Sequence, residues 1–159
     1  MALLIKVFAI FAVILVSGCT SGYLAANPNL EGPFLVTKVI DGDTIALNNT
    51  ERVRLSGIDT PERGVCYYKE AKEKLSNLTF QKEVYLENDL TNRDKYKRLL
   101  RYIYVNNTNA NFILVQEGYG QVYDKYSYDT KYYLKLKEIE APAKEQKLGL
   151  WNCENLTDK

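Results

Sequence analysis

The chain has 159 residues, the usual size of one domain, and its 46% hydrophobic and 26% charged content is typical of globular proteins. This composition excludes a disordered chain, a collagen-like repeat and a polytopic membrane protein. Histidine is absent, which excludes Ser-His-Asp and Cys-His catalysis and histidine metal ligands. Three cysteines are too few for a disulfide-rich scaffold or a four-cysteine zinc site. Any catalysis must therefore depend on carboxylates, arginines, lysines, tyrosines or a metal ion held by oxygen atoms.

The first 19 residues have the pattern of an export signal. Lys6 is their only charge, and an apolar run over Val7–Val16 is short for a membrane-spanning helix. The residues that end at Cys19 resemble a prokaryotic lipobox, in which the cysteine is lipidated. We therefore expect a signal peptide at residues 1–18 and an exported protein held on the cell-surface membrane by a lipid on Cys19. An ordinary secretory signal and an uncleaved anchor are the alternatives.

Further along the chain, local patterns predict one domain. A tether at residues 19–31 should lead into a domain at 32–153, followed by a tail at 154–159. The expected strands are 34–40, 44–47, 52–58, 83–87 and 99–105, and the expected helices are 67–78, 111–117 and one from a cap at Asp129 toward Lys147. Pro142 is expected to kink or split the last helix. Five short strands with interspersed helices predict a small α+β domain, and a five-stranded, partly open OB-type β-barrel fits them.

Export has consequences for charge and for cysteine chemistry. Without residues 1–18 the numbers of basic and acidic side chains are equal, so any basic surface for nucleic acid must be local. An oxidising compartment favours a disulfide between Cys66 and Cys153. Two unpaired thiols are the alternative.

Carboxylates are predicted to converge beside the second and third strands. A hairpin that turns near Glu51 would place Asp43 opposite Asp59, and Glu62 would overhang the same spot. Like charges repel at this distance unless a cation lies between them, and an oxygen-only site suits Ca²⁺ or Mg²⁺. The alternative is that these acidic residues only form turns.

Arginines supply the complementary charge. Arg54 lies with Arg52 on one face of the third strand, and Arg98 stands at the entrance of strand 99–105. A cation, carboxylates and guanidinium groups together suit the cleavage of a phosphodiester, because they stabilise charge on the phosphoryl oxygens and activate water. Taken singly, each arginine also fits a surface salt bridge.

Longer motifs resemble the staphylococcal nuclease (thermonuclease) family. They are residues 39–44, 54–62, 70–71, 94–104, 116–119 and 143–151. The resemblance runs in order over residues 34–152, and it implies an OB barrel with three helices. It also implies Ca²⁺-dependent hydrolysis of DNA and RNA with little sequence preference, leaving 3′-phosphates.

The resemblance implies a role for each matching metal-site residue. Asp43 and Asp59 would hold Ca²⁺ through their side chains, and Thr60 would hold it through its backbone carbonyl. Glu62 matches the general base, or orienter, of the attacking water.

Other matching residues would contact the substrate. Arg54 and Arg98 match the two arginines that bind the phosphate and stabilise the transition state. Lys95, Tyr96 and Tyr126 match residues that line the nucleotide pocket.

One position departs from the family. Asp124 stands where one of two pocket aromatics is expected, so its carboxylate should repel a terminal phosphate. We expect a monomer that acts on nucleic acid. The rival hypotheses are a nuclease-fold module that binds nucleic acid or protein without cutting, and a structural surface lipoprotein.

Overall fold

The computed structural model describes residues 29–48 and 50–153. The predicted signal peptide, the lipidation site Cys19, most of the tether and the tail at 154–159 lie outside these residues. Within them, no helix combines the length and the apolar character that crossing a bilayer requires.

This part of the chain forms a mixed β-sheet with three α-helices and two short 3₁₀ helices. The strands are β1 (Leu30–Val39), β2 (Thr44–Leu47), β3 (Glu51–Leu55), β4 (Ile58–Asp59), β5 (Glu83–Arg93), β6 (Leu99–Val105), β7 (Thr108–Asn109) and β8 (Gln121–Val122). The helices are α1 (Tyr68–Thr79), α2 (Ala110–Gln116) and α3 (Tyr133–Glu145), with 3₁₀ helices at Asp124–Asp129 and Gly149–Asn152.

Strand pairing closes the sheet into a barrel. The strand order is β3-β2-β1-β5-β6-β7, and β3 also pairs in parallel with β6, Val53 opposite Leu99. The five strands β1, β2, β3, β5 and β6 therefore form a closed barrel, while β4 and β8 form a separate two-stranded sheet. The predicted α+β class with an OB-type five-stranded barrel is confirmed.

Apolar residues from alternate strand positions fill the barrel. Val36, Ile45 and Val53 are fully buried, and α1 covers one side with Ala71 and Leu75. Burying such side chains completely contributes about 1.5–3 kcal/mol for each large aliphatic residue. This core sets the positions from which the loops at the barrel mouth project.

Several local predictions match the structure closely. β2 and β6 have the expected bounds, and α2 begins one residue before the expected start. Asn109 caps α2, because its side chain accepts a hydrogen bond from Phe112 N at 3.1 Å.

The domain begins earlier than predicted. Leu30 and Glu31 lie in β1 and pair with Glu87 and Leu86, so part of the expected tether belongs to the barrel. β5 likewise continues beyond its expected end at Glu87 to Arg93. Both β1 and β5 are longer than their own β-branched and aromatic residues predict, because pairing with neighbouring strands extends them.

The last helix also differs from the prediction. α3 begins at Tyr133, its N-cap is Tyr132 rather than Asp129, and residues 124–129 form a 3₁₀ helix of their own. Pro142 does not split α3, which continues to Glu145. Only three residues of the helix follow Pro142, so its missing N–H falls in the last turn of α3.

Candidate active site

The hairpin of β2 and β3 has a different register from the predicted one. Thr44 pairs with Arg54, and Leu55 N donates to Asp43 O at 2.8 Å. Asp43 therefore lies opposite Leu55, and the prediction that this hairpin places it opposite Asp59 is wrong. The two carboxylates meet by another route.

A tight turn after β3 carries Asp59 back to the site. Gly57 adopts a positive φ of 74°, and a Cβ on it would lie 2.6 Å from Leu136 Cδ1 and 2.8 Å from Thr130 Cγ2. Glycine is required here by both conformation and space. The turn leads into β4, where pairing of Asp59 with Gln121 of β8 fixes the backbone of the acidic residue.

Arg54 joins the two carboxylates. Its Nη1 lies 2.8 Å from Asp43 Oδ2, and its Nη2 lies 3.2 Å from Asp59 Oδ1. The Arg54 side chain is only 12% exposed. A planar guanidinium suits this arrangement because it presents several donors in a fixed fork. Three residues that were singled out in the sequence thus form one ionic cluster.

Asp43 is the buried member of this cluster. Its Oδ2 accepts hydrogen bonds from Thr60 N at 3.2 Å and Thr60 Oγ1 at 3.1 Å, and its Oδ1 accepts one from Thr44 Oγ1 at 3.0 Å. Burial raises the pKa of Asp43 to about 6, even though the positive charge of Arg54 acts to lower it. Additional positive charge at this point would stabilise the ionised carboxylate.

The donor set fits a hard cation that keeps part of its water shell. Asp43 and Asp59 supply carboxylate oxygens, and Thr60, whose backbone N and Oγ1 both donate to Asp43, directly follows Asp59 in the chain. Ca²⁺ takes six to eight oxygen ligands, so water would have to complete the set. Within residues 29–48 and 50–153, no three acidic or cysteine side chains are grouped closely enough to hold a metal ion together. Glu62 is therefore not a third carboxylate grouped with the two aspartates around one metal position, although it lines the same cavity.

An open cavity of about 470 Å³ unites the cluster with the other predicted side chains. Pockets of this size suit small ligands such as a nucleotide. The predicted site residues that line it are Asp43, Arg54, Asp59, Thr60, Glu62, Lys95, Tyr96, Arg98 and Tyr126. Glu62 is exposed at the rim, where water reaches it freely.

Arg98 is held rigidly at the cavity wall. Asp94 accepts a hydrogen bond from Arg98 Nε at 2.7 Å and one from the Arg98 backbone N at 2.9 Å. Burial acts to raise the pKa of Asp94, but these hydrogen bonds bring it below its usual value. Arg98 Nη1 also donates to Thr44 Oγ1 at 3.3 Å, which links it to the Asp43 side. Sequence reasoning did not identify Asp94 as the residue that positions Arg98, although the two lie only four residues apart in the chain.

Aromatic and basic side chains line the cavity together. Tyr96 is 68% exposed, with Lys95 Nζ 5.0 Å and Arg98 Cζ 5.5 Å from its ring centroid. Tyr126 is 41% exposed, with Lys125 Nζ 5.9 Å from its centroid. Rings beside cations suit a ligand with a flat base and a charged phosphate.

Asp124 does not line the cavity. Its carboxylate accepts hydrogen bonds from Tyr133 Oη at 2.8 Å and Lys137 Nζ at 3.2 Å, and it is not part of the cavity lining. Tyr123 lines the cavity instead, with its ring centroid 5.5 Å from that of Tyr126. Asp124 is therefore paired with Tyr133 and Lys137 outside the cavity lining, and sequence reasoning missed Tyr123.

A disulfide joins the loop after Glu62 to the end of the domain. Cys66 and Cys153 are bonded, with their Cα atoms 6.2 Å apart and a sequence separation of 87 residues. The C-terminal 3₁₀ helix is also held by the backbone, because Leu150 N donates to Gly118 O at 2.8 Å. The active-site loop and the C-terminal segment thus share one edge of the domain.

Comparison with known proteins agrees with this geometry. The family model described as "Staphylococcal nuclease homologue" matches residues 52–153. A micrococcal nuclease of Shigella flexneri is 36% identical over 132 residues, which cover 76% of this chain and 74% of that protein. A thermonuclease of Staphylococcus intermedius is 35% identical over 128 residues, 74% of this chain and 75% of that protein. An uncharacterized endonuclease of Haemophilus influenzae is 35% identical over 124 residues, 76% of this chain and 66% of that protein.

Proposed function

Since the chain belongs to the staphylococcal nuclease family and is a hydrolase of phosphodiester bonds, we propose that it is a Ca²⁺-dependent nuclease. It cleaves DNA and RNA with little sequence preference and leaves 3′-phosphates. The observation that carries this proposal is the cluster in which Arg54 contacts both Asp43 and Asp59 within an open cavity. Glu62 and Arg98 line the same cavity.

The metal ion has a defined place in this proposal. Asp43 and Asp59 would hold it through their side chains, and Thr60 would hold it through its carbonyl. When bound there, Ca²⁺ would supply Lewis-acid polarisation of a phosphoryl oxygen. Arg54 keeps the two carboxylates together, so the ligands are positioned before the substrate arrives.

Charged side chains carry out the chemistry. Glu62, exposed at the cavity rim, takes a proton from the attacking water or orients it. Arg54 and Arg98 donate hydrogen bonds to the phosphate oxygens, whose charge increases as water adds. Asp94 fixes the Arg98 guanidinium, so little reorganisation is needed during the reaction.

Substrate contacts explain a low sequence preference. Tyr96, Tyr126 and Lys95 line the same cavity; in this proposal the two rings stack on a base and Lys95 binds a phosphate. Stacking and phosphate contacts tolerate every base, because neither reads the hydrogen-bonding edge.

A digestion assay tests the proposal. The chain without residues 1–18 is incubated with single-stranded DNA, duplex DNA or RNA, in Ca²⁺ or in excess chelator. We expect cleavage of all three substrates in Ca²⁺, none in chelator, and products that bear 3′-phosphates. Binding without cleavage in Ca²⁺ would contradict the proposal and support a non-catalytic binding module. Equal cleavage in chelator would contradict the Ca²⁺ requirement alone.

We also propose that the enzyme is an exported lipoprotein, anchored in the membrane through Cys19. The support is the sequence pattern that ends at this residue. Cys19→Ser should move the protein from the membrane fraction to the soluble fraction, whereas continued membrane association would contradict lipidation. The released chain should elute as a monomer in size-exclusion chromatography.

A further inference from the structure

Three tyrosines form a row that starts in the cavity and ends on the surface. Tyr123 and Tyr126 line the cavity, with centroids 5.5 Å apart, and Tyr128 follows with its centroid 6.4 Å from that of Tyr126. We call Tyr123, Tyr126 and Tyr128 the tyrosine ladder. Through Tyr128, the ladder extends the aromatic side chains that line the cavity onto the neighbouring surface.

Tyr128 is the outer member of the ladder. Its side chain is 80% exposed, compared with 41% for Tyr126, and it is not part of the cavity lining. Folding buries little of this ring, so packing in the core does not account for an aromatic residue here. Its contact with Tyr126 makes it continuous with the proposed nucleotide site.

The segment that carries the ladder is held in place. Thr130 Oγ1 donates to Tyr126 O at 2.9 Å, and Lys131 N donates to Asp89 Oδ1 at 2.7 Å. Lys131 Nζ also contacts the buried Glu87 of β5. The Thr130 bond closes the segment on itself and the two Lys131 contacts attach its end to β5, so Tyr128 projects from a fixed base.

The ring geometry fits a single strand. The planes of Tyr126 and Tyr128 are inclined by 66°, and their centroids are 6.4 Å apart. Stacked bases of a duplex strand are about 3.4 Å apart along the axis, so two such bases cannot each cover one of these rings. Splayed bases of a flexible single strand can do so. Lys125, whose Nζ is 5.9 Å from the Tyr126 centroid, supplies positive charge for the backbone between them.

We propose that Tyr128 forms a second base-stacking site, which binds the base next to the one in the cavity and favours single-stranded nucleic acid. The proposal rests on the proposed function, because it requires that the cavity binds a nucleotide. Tyr128 is a binding residue in this scheme and takes no part in bond cleavage.

The test compares a long and a short ligand. KM and kcat are measured with hexathymidylate in Ca²⁺, and thymidine monophosphate is used as a competing inhibitor. Tyr128→Ala should raise the KM for hexathymidylate about tenfold, while kcat and the inhibition constant of the mononucleotide stay within about twofold of the unsubstituted enzyme. Tyr128→Phe should behave like the unsubstituted enzyme because it keeps the ring.

A control variant and a second substrate complete the experiment. Phe80→Ala removes another exposed aromatic ring, at the end of α1 and outside the cavity, and should leave the KM unchanged. On duplex DNA, Tyr128→Ala should also have no effect. An unchanged KM in Tyr128→Ala, or an equal loss in Tyr128→Phe or on duplex, would overturn the second stacking site. Lack of hexathymidylate cleavage by the unsubstituted enzyme would instead overturn the proposed function, and the inference with it.

Discussion

Arg54 Nη1 lies 2.8 Å from Asp43 Oδ2, although β-sheet pairing places Arg54 opposite Thr44, the residue after Asp43. The side chain therefore reaches diagonally across the hairpin end to a buried carboxylate. This contact opposes the effect of burial on the pKa of Asp43. It also leaves Nη2 free to contact Asp59, 3.2 Å away.

Replacing the Arg54 guanidinium by an ammonium group tests whether the reaction needs only a positive charge or also the forked arrangement of donors. Arg54→Lys keeps the positive charge but cannot contact two carboxylates and a phosphate in a forked arrangement. We expect kcat to fall about a hundredfold, with the fold retained in circular dichroism spectra. Arg52→Lys is the matched control, because Arg52 lies on the same strand with an exposed side chain. Equal kcat values for the two variants would contradict a role of Arg54 in the reaction.

Glu62→Gln tests the group that acts on water. The amide has nearly the same shape but cannot accept a proton, so kcat should fall by about two to four orders of magnitude. Thermal unfolding should be unchanged because Glu62 is exposed. Glu70→Gln, an exposed glutamate in the first turn of α1, serves as the control and should retain full activity. Near-normal turnover in Glu62→Gln would refute its assigned role.

Asp43→Ala should weaken Ca²⁺ binding. It removes one of two carboxylates from a site with few protein ligands, and we expect at least about a tenfold loss of affinity by isothermal titration calorimetry. Asp124→Asn removes an acidic group that lies outside the cavity and pairs with Lys137, so it should leave the affinity unchanged. An Asp43→Ala protein that binds Ca²⁺ normally would show that the ligand assignment is wrong.

The disulfide should stabilise the domain and the active-site loop together. The disulfide joins positions 87 residues apart and so restricts the unfolded chain. By the loop-entropy relation, this restriction raises the free energy of unfolding by about 4–5 kcal/mol. The double variant Cys66→Ser/Cys153→Ser should therefore unfold at lower urea concentration and lose activity at lower temperature. Reductant should reproduce this loss in the unsubstituted protein and have no effect on the double variant. Identical urea midpoints with and without reductant would contradict a stabilising bond.

Glu87 should make the fold sensitive to acid. Burial acts to raise its pKa, but hydrogen bonds from Lys131, Tyr104 and Tyr132 bring it below the ordinary 4.5. As the pH falls below 4.5, the unfolded chain takes up a proton at this position before the folded chain does, so acid favours unfolding. The contribution of ionised Glu87 to the free energy of unfolding is fully present above pH 4.5, and it is lost as the pH falls through the lowered pKa of Glu87. Urea unfolding from pH 7 to 3 should show a steeper loss of stability than in Glu87→Gln; parallel curves would contradict this.

Sequence alone determined the features that depend on neighbouring residues. Residues 44–47 and 99–105 were predicted as strands, and these are the bounds that the structure has. The apolar spacing of residues 111–117 predicted α2 to within a residue. Such elements can be predicted from nearby residues because side-chain direction repeats every two residues in a strand and about every 3.6 residues in a helix. The motifs likewise indicated the family before any geometry was known.

Tertiary structure alone decided how the site is assembled. Asp59 meets Asp43 because β4 pairs with β8, whose partner residue Gln121 lies 62 positions further along the chain, and not because of the β2–β3 hairpin. Asp124 turns away from the cavity because α3 presents Lys137 to it, which leaves Tyr123 beside Tyr126. Both outcomes depend on contacts between distant segments, whose free energy comes from packing and pairing that no local pattern encodes.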